Sequence, residues 1–300
     1  MTLDPSAAPR PPHGPRDPGD AWVVAPTGER YWGRFGAAGL LALDPARGVL
    51  LQHRVSWSHF GDTWGLPGGA RHAGESARDG ALRESAEEAG VPATAVSPRL
   101  LSVLDVGVWT YGTLIADVTT PFEPVISDPE SRELAWVPVA DIQTYPLHPG
   151  FGAAWQRLRA LLPVRPTIVV DVANVVGSVP DGWWRDRAGA ADRLLASLAT
   201  LAGDGVDAAD LGIASGTEHD TWFPRLVAVV EGQARAAADP AGIELVRAAG
   251  SGDDAVVAAV EAAAAAGETV SVVTADRGLR SRVEAHGARA LSPSWLRDLL

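Results

Sequence analysis

Cysteine is absent from the 300 residues, and lysine is absent as well. Without thiols the chain forms no disulfide, no thiolate nucleophile and no cysteine-bound zinc. All 25 basic residues are therefore arginine, against 37 acidic ones, for a formal net charge of −12. That balance argues against broad binding of a phosphate backbone, which needs clustered positive charge. It leaves room for acidic pockets that hold a divalent cation and, through it, a phosphate. Long apolar runs are missing too. The Ala-rich stretch 262–266 is flanked by Glu261 and Glu268 and is too short to span a bilayer. Residues 1–20 carry six prolines and no apolar run, which reads as a disordered tail rather than a signal or anchor. A soluble, cytoplasmic protein with no membrane partner is expected, its oligomeric state open.

What is present suffices for two domains. The apolar fraction is 46%, that of ordinary globular proteins, so each half can bury a core. Order is expected from about Ala21, with strands at 37–43 and 48–55, then a Gly/Pro-rich loop, Trp64 to Gly69. A helix follows over 76–89, with Ser76 as N-cap, Gly90 at the C-terminal cap and Pro92 beyond. Strands within 99–118 and at 133–139 and a helix over 151–162 complete a mixed α/β domain, 21–162. Two prolines in residues 163–166 predict a linker. From 167 to 300 short apolar strands alternate with helices. Strands are expected at 167–171, 211–215, 243–248, 269–275 and 288–291, and helices at 185–201, 222–238, 253–266 and 279–286. Alternation of that kind predicts a doubly wound parallel sheet.

On the helix after the glycine loop, Glu84, Glu87 and Glu88 stand at i, i+3 and i+4, which predicts one acidic face. Leu82, Ser85, Ala86 and Ala89 are expected to pack on a sheet. Three carboxylates on adjacent turns repel, and a divalent cation reverses the sign of that cost. Oxygen ligands suit Mg²⁺ or Mn²⁺. Gly68 and Gly69 let the chain turn tightly, bringing a backbone carbonyl of Gly69 to the same ion. Arg83 is positioned to grip a carboxylate, Glu75, in a bidentate fork. A metal-bound water activated beside a neutralised phosphate is the chemistry of phosphoanhydride hydrolysis.

Gly69, Glu75, Arg83, Glu84, Glu87, Glu88 and Gly90 occupy every fixed position of Gly-x5-Glu-x7-Arg-Glu-U-x-Glu-Glu-x-Gly-U, and the stretch resembles the box of Nudix hydrolases. The resemblance covers about 21–162, the preceding Trp64-Gly65-Leu66-Pro67-Gly68-Gly69 included. It implies an α/β/α sandwich with a mixed sheet that cleaves a nucleoside diphosphate linked to some group X. It makes Glu84, Glu87 and Glu88 metal ligands and gives Glu75 and Arg83 supporting roles. Ser85 departs from the usual aliphatic residue. Glu130 or Glu133 is a candidate late-loop ligand or base, as in some relatives. A sensor that binds a nucleotide without turnover is the alternative.

In the second half Asp171 closes the first strand, Asp253 and Asp254 precede a helix, and Asp276 follows the fourth strand. A parallel sheet collects these three positions on one rim, where buried like charges need a cation or protons. The set resembles PIN-like nucleases of the NYN kind over 167–300. Asp171 with Asn174, Asp253 (Asp254 less so), and Thr274 with Asp276 match that pattern. The resemblance implies Mg²⁺ or Mn²⁺ and cleavage of RNA, with Asp186 a further acidic candidate. Against it, Asp253 or Asp254 could simply cap its helix, and 11 Arg face 19 acidic residues from Thr167 onward. Trp57, Phe60 and Trp64 are candidates for stacking a base, Trp64 as a substrate-binding residue beside Gly68 and Gly69. Trp183 and Trp184 read as packing and His148 as structural.

Overall fold

The computed structural model describes residues 17–179, 185–217 and 219–300. Two compact units emerge. The first takes the chain up to Leu162 together with Ser215–Asp220, and the second takes Pro163–Ala214 and Thr221–Leu300. Most of the expected tail, together with Trp183 and Trp184, lies outside the described residues.

The first unit opens with a small antiparallel hairpin, β1 (Trp22–Val24) and β2 (Arg30–Trp32), that the sequence pattern did not announce. A mixed sheet follows. Its strands are β3 (Ala37–Asp44), β4 (Gly48–Arg54), β5 (Trp64–Gly65), β6 (Gly68–Ala70), β7 (Val96–Asp105), β8 (Thr110–Val118) and β9 (Ser131–Val137). β3 runs parallel to β8, while β7–β8, β3–β4, β3–β6, β4–β5 and β4–β9 are antiparallel. β3 is apolar along nearly its whole length because it is central, covered on both faces. Helix α1 (Ala77–Ala89) packs across β3, β6 and β8. Helix α2 (Pro149–Leu161) sinks Trp155 and Leu158 fully. The Ser76 hydroxyl caps α1 by accepting from the Asp79 amide, and Gly90 ends it at φ 64°, the left-handed conformation glycine adopts freely.

The second unit holds five parallel strands, β10 (Pro166–Asp171), β13 (Arg225–Val230), β14 (Ile243–Arg247), β15 (Thr269–Val273) and β16 (Arg289–Leu291), and a short antiparallel pair, β11 (Val206–Asp207) and β12 (Thr221–Trp222). The parallel strands lie in the order β14-β13-β10-β15-β16. The helices are α3 (Val172–Gly177), α4 (Arg187–Asp204), α5 (Ala208–Leu211), α6 (Gly252–Ala265), α7 (Arg277–Glu284) and α8 (Pro293–Leu299). Val169, Val227 and Val272 pack beneath Val256, Val260 and Leu279 on one face of the sheet. The alternate residues Ile168, Val170, Leu226 and Ala228 are equally buried, so the other face is covered too.

Two expectations fail here. Residues 211–215 are not a strand, because Gly212 at φ 64° closes α5 and the chain then turns into the first unit. There the buried Asp220 carboxylate accepts from the Val103 amide (3.0 Å) and pairs with Arg157 (3.3 Å). Residues 222–238 are not a helix either. The β-branched run Val227, Val229, Val230 makes strand β13, and the alanines after Glu231 carry only a 3₁₀ turn. The proposed linker shrinks as well, since Pro166 already begins β10.

Candidate active site

The glycine loop and α1 are bound together through side chains. Gly68 donates its amide to Glu88 Oε2 at 2.9 Å. A Cβ on Gly69 would sit 2.6 Å from Glu84 Oε2, so only glycine lets that carboxylate lie against the loop backbone. Arg83 fills the space between them. Its Nε donates to Glu75 Oε1 (2.8 Å), and one terminal nitrogen to Glu75 Oε2 and the Ala70 carbonyl (both 2.9 Å). The other terminal nitrogen reaches Glu84 Oε1 (2.8 Å) and Glu87 Oε2 (3.1 Å). The fork holds the Glu75 carboxyl down at about 2.

The three glutamates do not share one exposed face. Glu88 is buried among the loop and sheet, Glu84 is half-buried, and Glu87 points outward with 59% of its side chain exposed, drawn to Arg83. Ala86 is exposed, in the place expected to be packed, whereas Ser85 is buried and returns its hydroxyl to the Leu82 carbonyl. Glu84, Glu87 and Glu88 keep their common arc of the helix, which is turned so that its Glu88 edge, with Ala81, Ser85 and Ala89, faces the sheet. Among the described residues no three Asp, Glu or His side chains close on a common point for a metal.

Electrostatics nonetheless concentrate on Glu84 and Glu88. Burial pushes Glu84 up to about 7 even against the charge of Arg83, with Glu87 and Asp20 adding to the rise. Burial lifts Glu88 well above the usual carboxylate range, and the charges of Glu84 and Asp128 raise it further. Two carboxylates drawn in beside a Cβ-free glycine backbone form an oxygen donor set that fits a hard divalent cation.

Of the late-loop candidates, Glu130 lies in this region and Glu133 does not. Glu130 pairs with Arg54 at 3.4 Å and is raised by burial, with Asp128 and Asp20 contributing. Glu133 is exposed in β9, opposite His53. Arg54, at the end of β4, was not singled out from sequence, although a lone arginine ending the strand before the glycine loop was visible there. Gln52 was missed too. Fully buried, it donates to Ser131 Oγ (2.7 Å), which in turn donates to Asp128. Trp64 does not present a stacking face. It is 7% exposed, stacked on His53 at 4.7 Å and capped edge-on by Tyr145. Phe60 and Trp57 are exposed. His148 caps α2, its Nδ1 accepting from the Gly150 amide, and burial lowers it to about 4.

In the second unit the carboxyl ends of the parallel strands bring the acidic positions to one rim. Asp171 accepts from the Asn174 amide (3.1 Å) and from the Thr274 hydroxyl (3.0 Å). Asn174 Oδ1 accepts from the Ala275 amide, and Asp276 caps α7 through the Leu279 amide. Burial raises Asp171, with Asp253 and Glu231 contributing, and raises Asp253, with Asp276 the next cause. Asp254 turns away to Arg282 at 2.7 Å. Glu231, absent from the sequence reading, accepts from the Gly252 amide. Neither Asp253 nor Asp254 makes the cap; Ser251 holds that position without a side-chain bond. Asp186 caps α4 through the Gly189 amide.

Residues 33–158 match the NUDIX domain. A putative 8-oxo-dGTP diphosphatase 3 of Mycobacterium tuberculosis is 50% identical over 155 residues, covering 48% of this chain and 70% of the relative. A nucleoside triphosphate pyrophosphatase/Nudix hydrolase fusion protein of Bifidobacterium longum is 40% identical over 158 residues, 48% of this chain and 32% of that protein. The crystal structure of the Nudix hydrolase RenU from M. smegmatis is 47% identical, with a TM-score of 0.44, over 48% of this chain and 94% of that one. The chain belongs to the NUDIX family. No helix among the described residues is long and apolar enough to cross a membrane.

Proposed function

We propose that the first unit hydrolyses a phosphoanhydride bond of a nucleoside di- or triphosphate, using Mg²⁺ or Mn²⁺ held by Glu84, Glu88 and the Gly69 carbonyl. The observation that carries the reading is the pair Glu84 and Glu88 resting on the glycine loop, both raised by burial, Glu88 also by the charge of Glu84. When bound, the cation neutralises phosphate oxygens and lowers the pKa of a coordinated water. The chain's own residues do the rest. Arg83 fixes Glu84 and locks the loop through Glu75, while Glu87 stands at the exposed edge, paired with Arg83. Glu130, held by Arg54, is the base that accepts a proton from the attacking water. The name of the mycobacterial relative makes 8-oxo-dGTP the first substrate to try. A screen of nucleoside triphosphates and nucleotide-linked diphosphates with Mg²⁺ and Mn²⁺ tests this. Turnover that Glu84→Gln and Glu88→Gln abolish supports it; tight nucleotide binding without turnover favours a sensor.

For the second unit we propose a PIN-like domain of the NYN kind, with a divalent-cation site at Asp171, Asp253 and Asp276, supported by Asn174 and Thr274, that cuts RNA. Support comes from Asp171, bonded to Thr274 and Asn174 and raised by burial with Asp253 contributing, and from Asp253, raised by burial with Asp276 contributing. Cleavage of single-stranded RNA that survives Asp171→Asn would remove this site.

A further inference from the structure

Gln52 is sealed from water in β4, paired with Gly65 of β5 on one side and Leu134 of β9 on the other. Its Nε2 donates to Ser131 Oγ at 2.7 Å, and its Oε1 has no hydrogen-bond partner among the described residues. A buried acceptor left in that state costs about 1–3 kcal/mol, so an apolar side chain of similar shape would serve the core better. The amide is better explained by what it holds.

It holds the turn that presents Glu130. Ser131 Oγ donates in its turn to Asp128 Oδ1 (3.1 Å), and that oxygen also accepts from the Glu130 and Ser131 amides (2.9 and 3.1 Å). The Glu130 carbonyl accepts from the Val55 amide (3.0 Å), so the backbone of Glu130 is pinned on both sides. A bulge follows at once. His53 lies opposite Glu133 and Arg54 opposite Ser131, leaving Arg132 as the extra residue. The start of the same loop is fastened to α1, where the Ser127 amide donates to the Glu88 carbonyl (3.3 Å) and the Val125 amide to that of Ala89 (3.0 Å). One loop therefore joins the backbone of Glu88 to that of Glu130, and Gln52 anchors its far end in the sheet.

We propose that Gln52 is a positioning residue, which fixes Glu130 relative to Glu84 and Glu88 through Ser131 and Asp128. The inference rests on the hydrolase reading above, in which Glu130 is the base, and adds the group that aims it. A misplacement of about 1 Å costs a reacting group up to about a hundred-fold in rate.

Steady-state hydrolysis of 8-oxo-dGTP and dGTP with Mg²⁺ by the full chain tests the assignment, on Gln52→Leu, Ser131→Ala, Glu130→Gln and the two double variants that contain Glu130→Gln. Glu130→Gln should lower kcat by about a hundred-fold or more, the range of general base catalysis. Gln52→Leu and Ser131→Ala should each lower kcat by about ten- to a hundred-fold, with KM and Mn²⁺ affinity held. Gln52→Leu removes the orphaned oxygen, so its melting temperature should hold or rise, which separates lost positioning from lost folding. Added to Glu130→Gln, neither change should lower kcat further, because groups that act as a unit are not additive. Losses that multiply, or a Gln52→Leu kcat equal to that of the wild type, overturn the assignment and leave Glu130 as the base. Hydrolysis indifferent to Glu130→Gln removes the base instead, and a wild type without hydrolysis removes the hydrolase reading; the inference falls with either.

Discussion

Arg83 grips Glu75 with two parallel hydrogen bonds, Nε to Oε1 at 2.8 Å and a terminal nitrogen to Oε2 at 2.9 Å. The fork ties the residue before the α1 cap to the helix about two turns on, and closes the glycine loop through the Ala70 carbonyl. Planar bidentate geometry of this kind is open to arginine and closed to lysine.

The fork sets a pH dependence. Glu75 is held at about 2 in the folded chain, below its ordinary value of 4.5. A lowered carboxylate contributes stability that is full above the unfolded value and disappears as pH falls through the folded one. Melting temperature measured from pH 6 to pH 2 should therefore drop more steeply in the wild type than in Glu75→Gln, the two converging near the acid end. Parallel curves would contradict it.

Gly69→Ala should spare the fold and damage the site. The added Cβ meets only the far end of Glu84, which can swing away, so the melting temperature should change little. Cation affinity should fall by about 10- to 100-fold, the range seen when a ligand's support is removed. Titration with Mn²⁺ beside a thermal melt separates the two effects.

Asp220 should matter to the stability of the first unit although it lies far along the chain. Its carboxylate, sealed from water, serves the Val103 amide, the Thr217 hydroxyl and Arg157. Asp220→Ala leaves these donors unsatisfied and should cost about 2 kcal/mol or more. Asp220→Asn, which keeps an acceptor, should cost less. Denaturant melts of the two variants give the comparison.

In the second unit, Asp253→Asn should weaken Mn²⁺ binding while Asp254→Asn, which frees only Arg282, should not. Equal losses would place both on the ion.

Much of this was legible in the residues. The seven fixed positions from Gly69 to Gly90 located the loop, the helix and the Arg83 fork, because each has a spacing that a single element dictates. The rotation of α1 was not legible. Glu88 reads as surface by its charge, yet the Gly68 amide offers it a buried partner that no helical wheel contains. The β13 strand was hidden for a related reason. A fully buried parallel strand has no alternation, and Leu226–Val230 followed by Ala-rich sequence mimics a helix until its sheet neighbours β10 and β14 are known. Asp220 could not be assigned because two of its partners, Arg157 and Val103, lie 63 and 117 residues away.

The account stands most directly on whether Glu84 and Glu88 hold a cation. Equilibrium Mn²⁺ binding to the wild type, Glu84→Gln, Glu88→Gln and Glu87→Gln decides it. The account predicts one site lost in the first two variants and only weakened in Glu87→Gln, whose side chain faces outward. Mn²⁺ affinity unchanged by Glu88→Gln would contradict it.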